Sequence, residues 1–217
     1  MLVGMTPIDH RPAALAHVRW IAGGSGAGKS TLARRLAARH DAALYDTDAV
    51  MRDHASRCAP DQCPRLSAFM RMSLDERWVR RTPQEMLDTF HWFAGEGFDL
   101  ILSDVLTFPR DRPVIAEGFR LLPRLVAPLL TDSRHAVWML PSPAFRRSAF
   151  DMRGTTWDMP RRTSNPAAAL ANLLARDGLF TDRLRQEVAT LALHMVDVDG
   201  SQDEEALLAC LSARLFG

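Results

Sequence analysis

Residues 23–30 read Gly-Gly-Ser-Gly-Ala-Gly-Lys-Ser, and they constrain the fold more than any other stretch of the chain. The pattern is Gly, four residues, Gly, Lys, Ser, and it works only between a strand and a helix. Both neighbours are legible. "HVRWIAG" (17–23) is a short apolar run ending in glycine. "KSTLARRLAARH" (29–40) sets Leu32 and Leu36 one turn apart among strong helix formers. Glycines let the connecting loop turn its backbone N–H groups towards one anion, and the positive end of the helix adds to the same point. On this reading Gly24, Ser25, Gly26, Ala27, Gly28, Lys29, Ser30 and Thr31 wrap the phosphates of a nucleoside triphosphate, expected to be ATP. Lys29 reaches the β- and γ-phosphates, and the Ser30 hydroxyl meets Mg²⁺. Lys29 is the only lysine among 27 basic residues. Its retention fits a position that a broader, planar guanidinium cannot fill.

The rest of the chain alternates short apolar runs with helical patterns. "AALYD" (42–46), "RPVIAEG" (112–118), "HAVWMLP" (135–141) and "LHMVDVDG" (193–200) read as four further strands. Residues 1–16, with Pro7 and Pro12, read as an irregular lead-in. In "TPQEMLDTFHWFA", Thr82 falls at the N-cap, Pro83 at N1 and Glu85 at N3, before one apolar face of Met86, Leu87, Phe90 and Phe93. "DLILSDVL" (99–106) fits a helix or a strand. "LLPRLVAPLL" (121–130) fits a helix that Pro128 kinks or splits. Residues 143–154, 165–193 and 203–216 are helical in pattern. Strands alternating with helices imply one α/β domain over 1–217, with a parallel sheet covered on both faces.

Bulk properties exclude several classes. A formal net charge of +1 gives no overall field for nucleic acid or acidic membranes. No apolar run approaches the roughly 20 residues of a membrane span. The N-terminal stretch lacks a basic start followed by a continuous apolar run, so no secretory signal is expected. Cys58, Cys63 and Cys210 are expected as free thiols, in keeping with a reducing cytoplasm.

Three features point to transfer of the bound phosphate. Asp46 and Asp48 follow the second strand, 17 and 19 residues after Lys29. Strand ends in a parallel sheet face the ligand crevice. There, two carboxylates could hold a Mg²⁺ shell water and take a proton from an acceptor hydroxyl. Asp48 would also suit a helix N-cap. Glu117 and Gly118 end the third strand, where the carboxylate could orient the metal or hold substrate and the glycine allows close approach. The alternative is a surface glutamate. The third feature is the arginine-rich stretch after strand four: Arg146, Arg147 and Arg153, then Arg161, Arg162, Arg176 and Arg183. Arginines on a closing segment can neutralise transferring phosphate. Arg153 ranks first, then Arg147 and Arg176, although arginine is also this chain's default surface cation.

Taken together, "GGSGAGKST", "LYDTD", "VIAEGFRLLP", the arginine-bearing segment and "VDVDGSQDEEAL" resemble the nucleoside/nucleotide-kinase-like branch of P-loop proteins. Shikimate kinase, gluconate kinase, chloramphenicol phosphotransferase, uridine kinase and 2-phosphoglycerate kinase belong to that branch. The resemblance spans most of residues 17–217. It implies a P-loop three-layer α/β sandwich with a five-stranded parallel sheet in order 2-3-1-4-5. It also implies a helical acceptor-binding lobe over 50–107 and a lid over 143–165. "YDTD" resembles the strand-two motif of shikimate kinase, which places Asp46 near Mg²⁺ and Asp48 on the acceptor. The loop at Asp199, Gly200 and Ser201 would lie against adenine. The chain departs from shikimate kinase at Glu117-Gly118-Phe119, where that family has a glycine triplet. "EGFRLLP" resembles the E-G-x-x-x-x-P stretch of 2-phosphoglycerate kinase-like proteins.

In the lobe, Arg77, Arg80 and Arg81 lie among Trp78, His91, Trp92 and Phe93. Arg77 and Arg81 are candidates for binding an anionic acceptor. Trp92 and Phe93 read better as aromatics packed inward. The expected activity is transfer of the γ-phosphate of ATP to a hydroxyl of a small metabolite or natural product. The core would be Lys29, Ser30, Asp46 and Asp48, with Arg153 closing over the phosphates. A nucleoside, nucleotide or polynucleotide 5′-kinase and a non-transferring ATP-binding regulator remain the alternatives. No membrane or long nucleic-acid partner is expected, and the sequence assigns no oligomeric state.

Overall fold

The computed structural model describes residues 11–153 and 159–217. Five parallel strands form the centre: β1 (Val18–Gly23), β2 (Ala43–Asp46), β3 (Val114–Gly118), β4 (Ala136–Pro141) and β5 (Met195–Val198). They lie in the order β2-β3-β1-β4-β5. In register, Asp46 sits beside Glu117, Glu117 beside Ile21, and Gly118 beside Ala22. The carboxyl ends of β1, β2 and β3 therefore meet at one edge of the crevice.

Alternation along the central strands builds two cores. Val18, Trp20, Ala22, Val114, Ala116, Ala136, Trp138 and Leu140 face one side. Ile21, Ile115, Val137 and Met139 face the other. Both sets are buried, which is why these strands read as continuous apolar runs. The second side is covered by α2 (Lys29–Arg39) and the C-terminal helix Glu204–Phe216, through Leu32, Ala33, Leu36, Leu207, Leu208 and Leu211.

The helices before β3 are short. They run α1 (Arg11–Ala14), α3 (Met51–Arg57), α4 (Pro64–Arg71), α5 (Leu74–Trp78), α6 (Pro83–Thr89), α7 (His91–Ala94) and α8 (Phe98–Val105). The lead-in expected to be irregular through residue 16 thus carries one helical turn at Arg11–Ala14, and residues 1–10 lie outside the described residues. The helix expected across 83–94 is two helices. Thr82 and Glu85 make the expected capping box, but Phe90 is extended, with φ −72° and ψ 118°, and breaks the run. Residues 98–105 form a helix because Phe98, Ile101, Leu102 and Val105 are buried at helical spacing. After β3, α9 (Pro123–Val126) gives way at Pro128 to a 3₁₀ turn over Ala127–Leu129. The last three helices are α10 (Pro143–Arg153), α11 (Pro166–Thr190) and α12 (Glu204–Phe216). α11 is one 25-residue helix capped by Asn165, and its Phe180, Leu184 and Val188 close the first core.

Of the lid expected over 143–165, residues 154–158 lie outside the described residues; α10 and a 3₁₀ turn at Pro160–Arg162 flank them. All three cysteines are free thiols. Burial and a neighbouring Cys58 push the Cys63 thiol up to about 12. Among the described residues no helix is long and apolar enough to cross a membrane.

Candidate active site

The loop between β1 and α2 is shaped as an anion cradle. Gly26 and Gly28 adopt φ of +83° and +77°, a region that only glycine enters cheaply. A side chain at Gly28 would project into open space, and no side chain caps α2. The first-turn N–H groups thus face a cavity of about 110 Å³, lined by Ser25 to Thr31 with Asp48 and Phe119. Lys29 is buried and donates from Nζ to the Gly24 carbonyl at 2.8 Å, which curls its stem back under the loop.

Three carboxylates gather beside the cradle, and each is held differently. Asp46 accepts at Oδ1 from the backbone N–H groups of Asp48 (2.8 Å) and Ala49 (3.1 Å). It therefore tightens the turn after β2. Asp48 does not take the capping role open to it in the sequence, since α3 begins after Val50 and has no side-chain cap. The Asp48 carboxylate opens onto the crevice, yet protein surrounds it on most sides. That desolvation holds its pKa above the usual carboxylate range, against the pull of Lys29. Glu117 is 1% exposed, so it is no surface glutamate. Burial holds its pKa up as well, against the opposing pull of the Ser30 hydroxyl and of Lys29. Its Oε2 is buried with no partner among the described residues. A buried carboxylate oxygen left unmet is costly, and a cation beside Ser30 would relieve it.

Gly118 makes this arrangement possible. It sits at φ +142°, and an added Cβ would come within 1.8 Å of Thr47 Oγ1. Thr47 is fully buried and donates its N–H to the Glu117 carbonyl at 2.9 Å. Gly118→Ala is therefore expected to lower stability by about 1–3 kcal/mol, from strained backbone and overpacking together. Urea denaturation checks this, and an unchanged midpoint would show that Thr47 has room to move.

Beneath Thr47 and Asp48 lies a buried network that sequence reasoning missed. Arg120 is 2% exposed and donates from Nη1 to the Thr47 carbonyl (3.3 Å) and from Nη2 to His54 Nδ1 (3.0 Å). Arginine only donates, so His54 Nδ1 is the acceptor and Nε2 carries the proton. Nε2 then donates to Asp104 Oδ2 at 2.7 Å, and Tyr45 donates its hydroxyl to the same oxygen at 2.9 Å. Burial lowers the His54 pKa, consistent with a neutral ring. Arg120 lies over the Trp92 ring at 4.0 Å, and burial draws its pKa down to about 10. Its charge favours the ionised form of Asp48. The available signal was its place two residues beyond Glu117-Gly118, at a strand's carboxyl end.

A second cavity, of about 280 Å³, opens beside the cradle. Ser25, Asp48 and Phe119 line both cavities. Trp78, Phe90, Phe93 and Phe150 wall the second one, and Arg176 and Asp177 of α11 enter it. The lobe arginines sit elsewhere. Arg77 donates to the carbonyls of Phe69 and Met70, and Arg81 to the Glu85 carbonyl and the Thr89 hydroxyl. Neither lines the two cavities. Trp92 and Phe93 are both buried, and Phe93 also lines the second cavity. Arg147 is exposed on α10. Arg153 ends α10, and its side chain lies outside the described residues. Asp199 is exposed and accepts from Ser201 N–H and Oγ, while an added Cβ at Gly200 would lie 3.6 Å from Phe145.

A glycine loop with a buried lysine at the carboxyl edge of a 2-3-1-4-5 parallel sheet defines a P-loop nucleotide-binding protein. A family model described as an AAA domain matches residues 18–176, and the chain belongs to that family of P-loop proteins. No curated protein matches it. Among solved structures, an uncharacterized protein from Eubacterium ventriosum ATCC 27560 is similar, with 12% identity and a TM-score of 0.45, covering 91% of this chain and 97% of that one.

Proposed function

We propose that the protein is an ATP- and Mg²⁺-dependent phosphotransferase that moves the γ-phosphoryl group of ATP to a hydroxyl of a small molecule. One observation carries this reading: Asp48 lines both the phosphate cradle and the aromatic cavity. A donor phosphate in one and an acceptor alcohol in the other would meet at its carboxylate.

The residues present suit the two groups the reaction needs. Open N–H groups at the start of α2, with no acidic residue in its first turn, suit a triphosphate. The Ser30 hydroxyl and the unmet Glu117 oxygen suit Mg²⁺. Bound there, the ion would neutralise charge on the β- and γ-phosphates. Lys29 would hold the same phosphates from within the loop. Arg147, Arg153 and the Asp199-Gly200 loop are assigned to the nucleotide: the arginines to its phosphates, the loop to adenine beside Phe145.

The acceptor alcohol would sit against the aromatic walls with its hydroxyl at Asp48. Asp48 takes the hydroxyl proton as the alcohol oxygen bonds to the γ-phosphorus and the bond to the ADP oxygen breaks. Asp46 serves by fixing the turn that presents Asp48. Arg120 is a positioning residue, acting through Thr47 and through its charge. Arg77 and Arg81 support the lobe and do not touch the acceptor.

The test is direct. Purified protein with γ-labelled Mg·ATP and a small-molecule extract should yield a new labelled species. Free phosphate alone, or no turnover across a broad panel of alcohols, would support a non-transferring ATP-binding regulator instead.

The role given to Arg120 makes a separate prediction. Arg120→Met removes three hydrogen bonds, to His54 Nδ1 and the Thr47 and Gly97 carbonyls, from a buried charged donor and should cost about 2–3 kcal/mol in urea denaturation. It should also move the acid limb of kcat/KM to higher pH, because the lost positive charge no longer favours ionised Asp48. Arg120→Lys should recover little, since an ammonium cannot span the three acceptors. A destabilised variant with an unmoved acid limb would reduce Arg120 to a structural part.

A further inference from the structure

Arg176 is 7% exposed and lies in the aromatic cavity with most of its donors already committed. Nε and Nη2 both donate to Asp177 Oδ1, at 2.9 and 2.6 Å. The guanidinium stands 5.3 Å from the Trp78 ring, 4.8 Å from Phe90 and 5.1 Å from Phe93. That leaves Nη1, which is buried and makes no hydrogen bond among the described residues. A buried donor without an acceptor is rare and costly, and Arg176 is one of the residues lining a cavity large enough for a small ring compound.

The charges limit what can fill the cavity. Arg176 and Asp177 neutralise each other, and Asp48 is a further carboxylate. Arg77 and Arg81, which might have balanced an anion, are tied to lobe backbone and do not line it. A carboxylated or phosphorylated acceptor would bring uncompensated negative charge beside two carboxylates. A polyol would press several hydroxyls against ring faces that offer them no partner. A neutral ring instead stacks on those faces, and one carbonyl-type oxygen satisfies Nη1.

We propose that this cavity selects a neutral, ring-bearing alcohol that also carries one carbonyl-type hydrogen-bond acceptor, and that Arg176 Nη1 reads that acceptor. The alcohol rests on the phosphotransferase reading; the ring and the acceptor rest on the cavity alone.

Three probes isolate the features: 4-(hydroxymethyl)benzamide, benzyl alcohol and 4-(hydroxymethyl)benzoate. They share a ring and an alcohol, and differ in carrying a neutral acceptor, none, or an anion. Ligand-observed NMR with the full chain and ADP should rank the amide first, tighter than each of the others by about fivefold to tenfold, the worth of one buried hydrogen bond. Arg176→Met strands the buried Asp177 carboxylate, so Arg176→Met is paired with Asp177→Asn. In that double variant, still binding ADP as evidence of its fold, the amide should lose its advantage over benzyl alcohol. The ranking in the unaltered protein is a test in itself if the variant does not fold. A benzoate or a nucleoside monophosphate that outcompetes the amide, equal binding of all three, or no binding by any overturns the proposal. Phosphate transfer is scored separately. The expected ranking without transfer to any alcohol leaves the cavity proposal standing and removes the kinase reading. Transfer to an anionic acceptor with the ranking reversed does the opposite.

Discussion

Asp48→Asn is expected to lower kcat for phosphoryl transfer about 10²- to 10⁴-fold, the range for losing a positioned general base. Mg·ATP should bind at least as tightly as in the unaltered protein, because the lost carboxylate faces the phosphate cavity and repels its occupant. The loss should therefore fall on kcat and on kcat/KM together, the mark of an interaction made in the transition state. The pH profile gives an independent reading. Burial holds the Asp48 pKa above the ordinary carboxylate range, so the base form is lost at a higher pH than for a free aspartate. Activity should fall as pH falls through that raised value, and the residual activity of Asp48→Asn should lack this limb. Because burial disfavours the ionised carboxylate in the folded chain, Asp48→Asn should leave stability at neutral pH unchanged or slightly raised. Transfer by Asp48→Asn at the unaltered rate would move the base elsewhere, with Glu117 the next carboxylate.

The contrast between Asp48 and Arg120 explains what a sequence of this kind discloses. The cradle is contiguous: eight residues carry the glycines, the lysine and the serine, and the flanking strand and helix follow from their apolar spacing. The sheet order came through resemblance and matches the structure, since periodicity shows which residues face a core but not which strands are neighbours. Asp46 and Asp48 were legible as a strand end, and their difference was not. It depends on which side chain takes the turn's N–H groups, and backbone geometry alone sets that. Arg120 was invisible for another reason. Its partners are Thr47 just after β2, His54 on α3 and Gly97 at the start of α8, with Asp104 reached only through His54, and no local pattern joins them. In a chain where nearly every cation is arginine, residue type also carried little information. That is why Arg77 and Arg81, which line neither cavity, stood out in the sequence while Arg120 did not. The break at Phe90 likewise follows from tertiary packing: its ring closes on Phe69 and Phe93, and no proline or glycine marks the place.

Lys29→Ala should lower transfer by about 10²- to 10³-fold, as for loss of one preorganised donor to developing phosphate charge, and should weaken ATP binding too. The sharper variant is Lys29→Arg, which keeps the charge. Lys29 is buried, with Nζ on the Gly24 carbonyl, and the loop around it has little slack. Even a methyl at Gly24, whose carbonyl holds the ammonium, would meet Thr181 Oγ1 at 2.7 Å and Pro141 at 2.8 Å. The Gly24 side of the loop cannot retreat to admit a planar guanidinium, so arginine should rescue little of the alanine loss. A second consequence separates charge from shape. Lys29 favours the ionised forms of both Asp48 and Glu117. Removing its charge raises both pKa values further, so the acid limb of the residual activity in Lys29→Ala should move to higher pH. In Lys29→Arg, which retains a cation, the limb should move less while the rate stays low. Activity of Lys29→Arg at the unaltered level would mean the loop has room for either cation, and the chain's single lysine would then owe nothing to the geometry of its site.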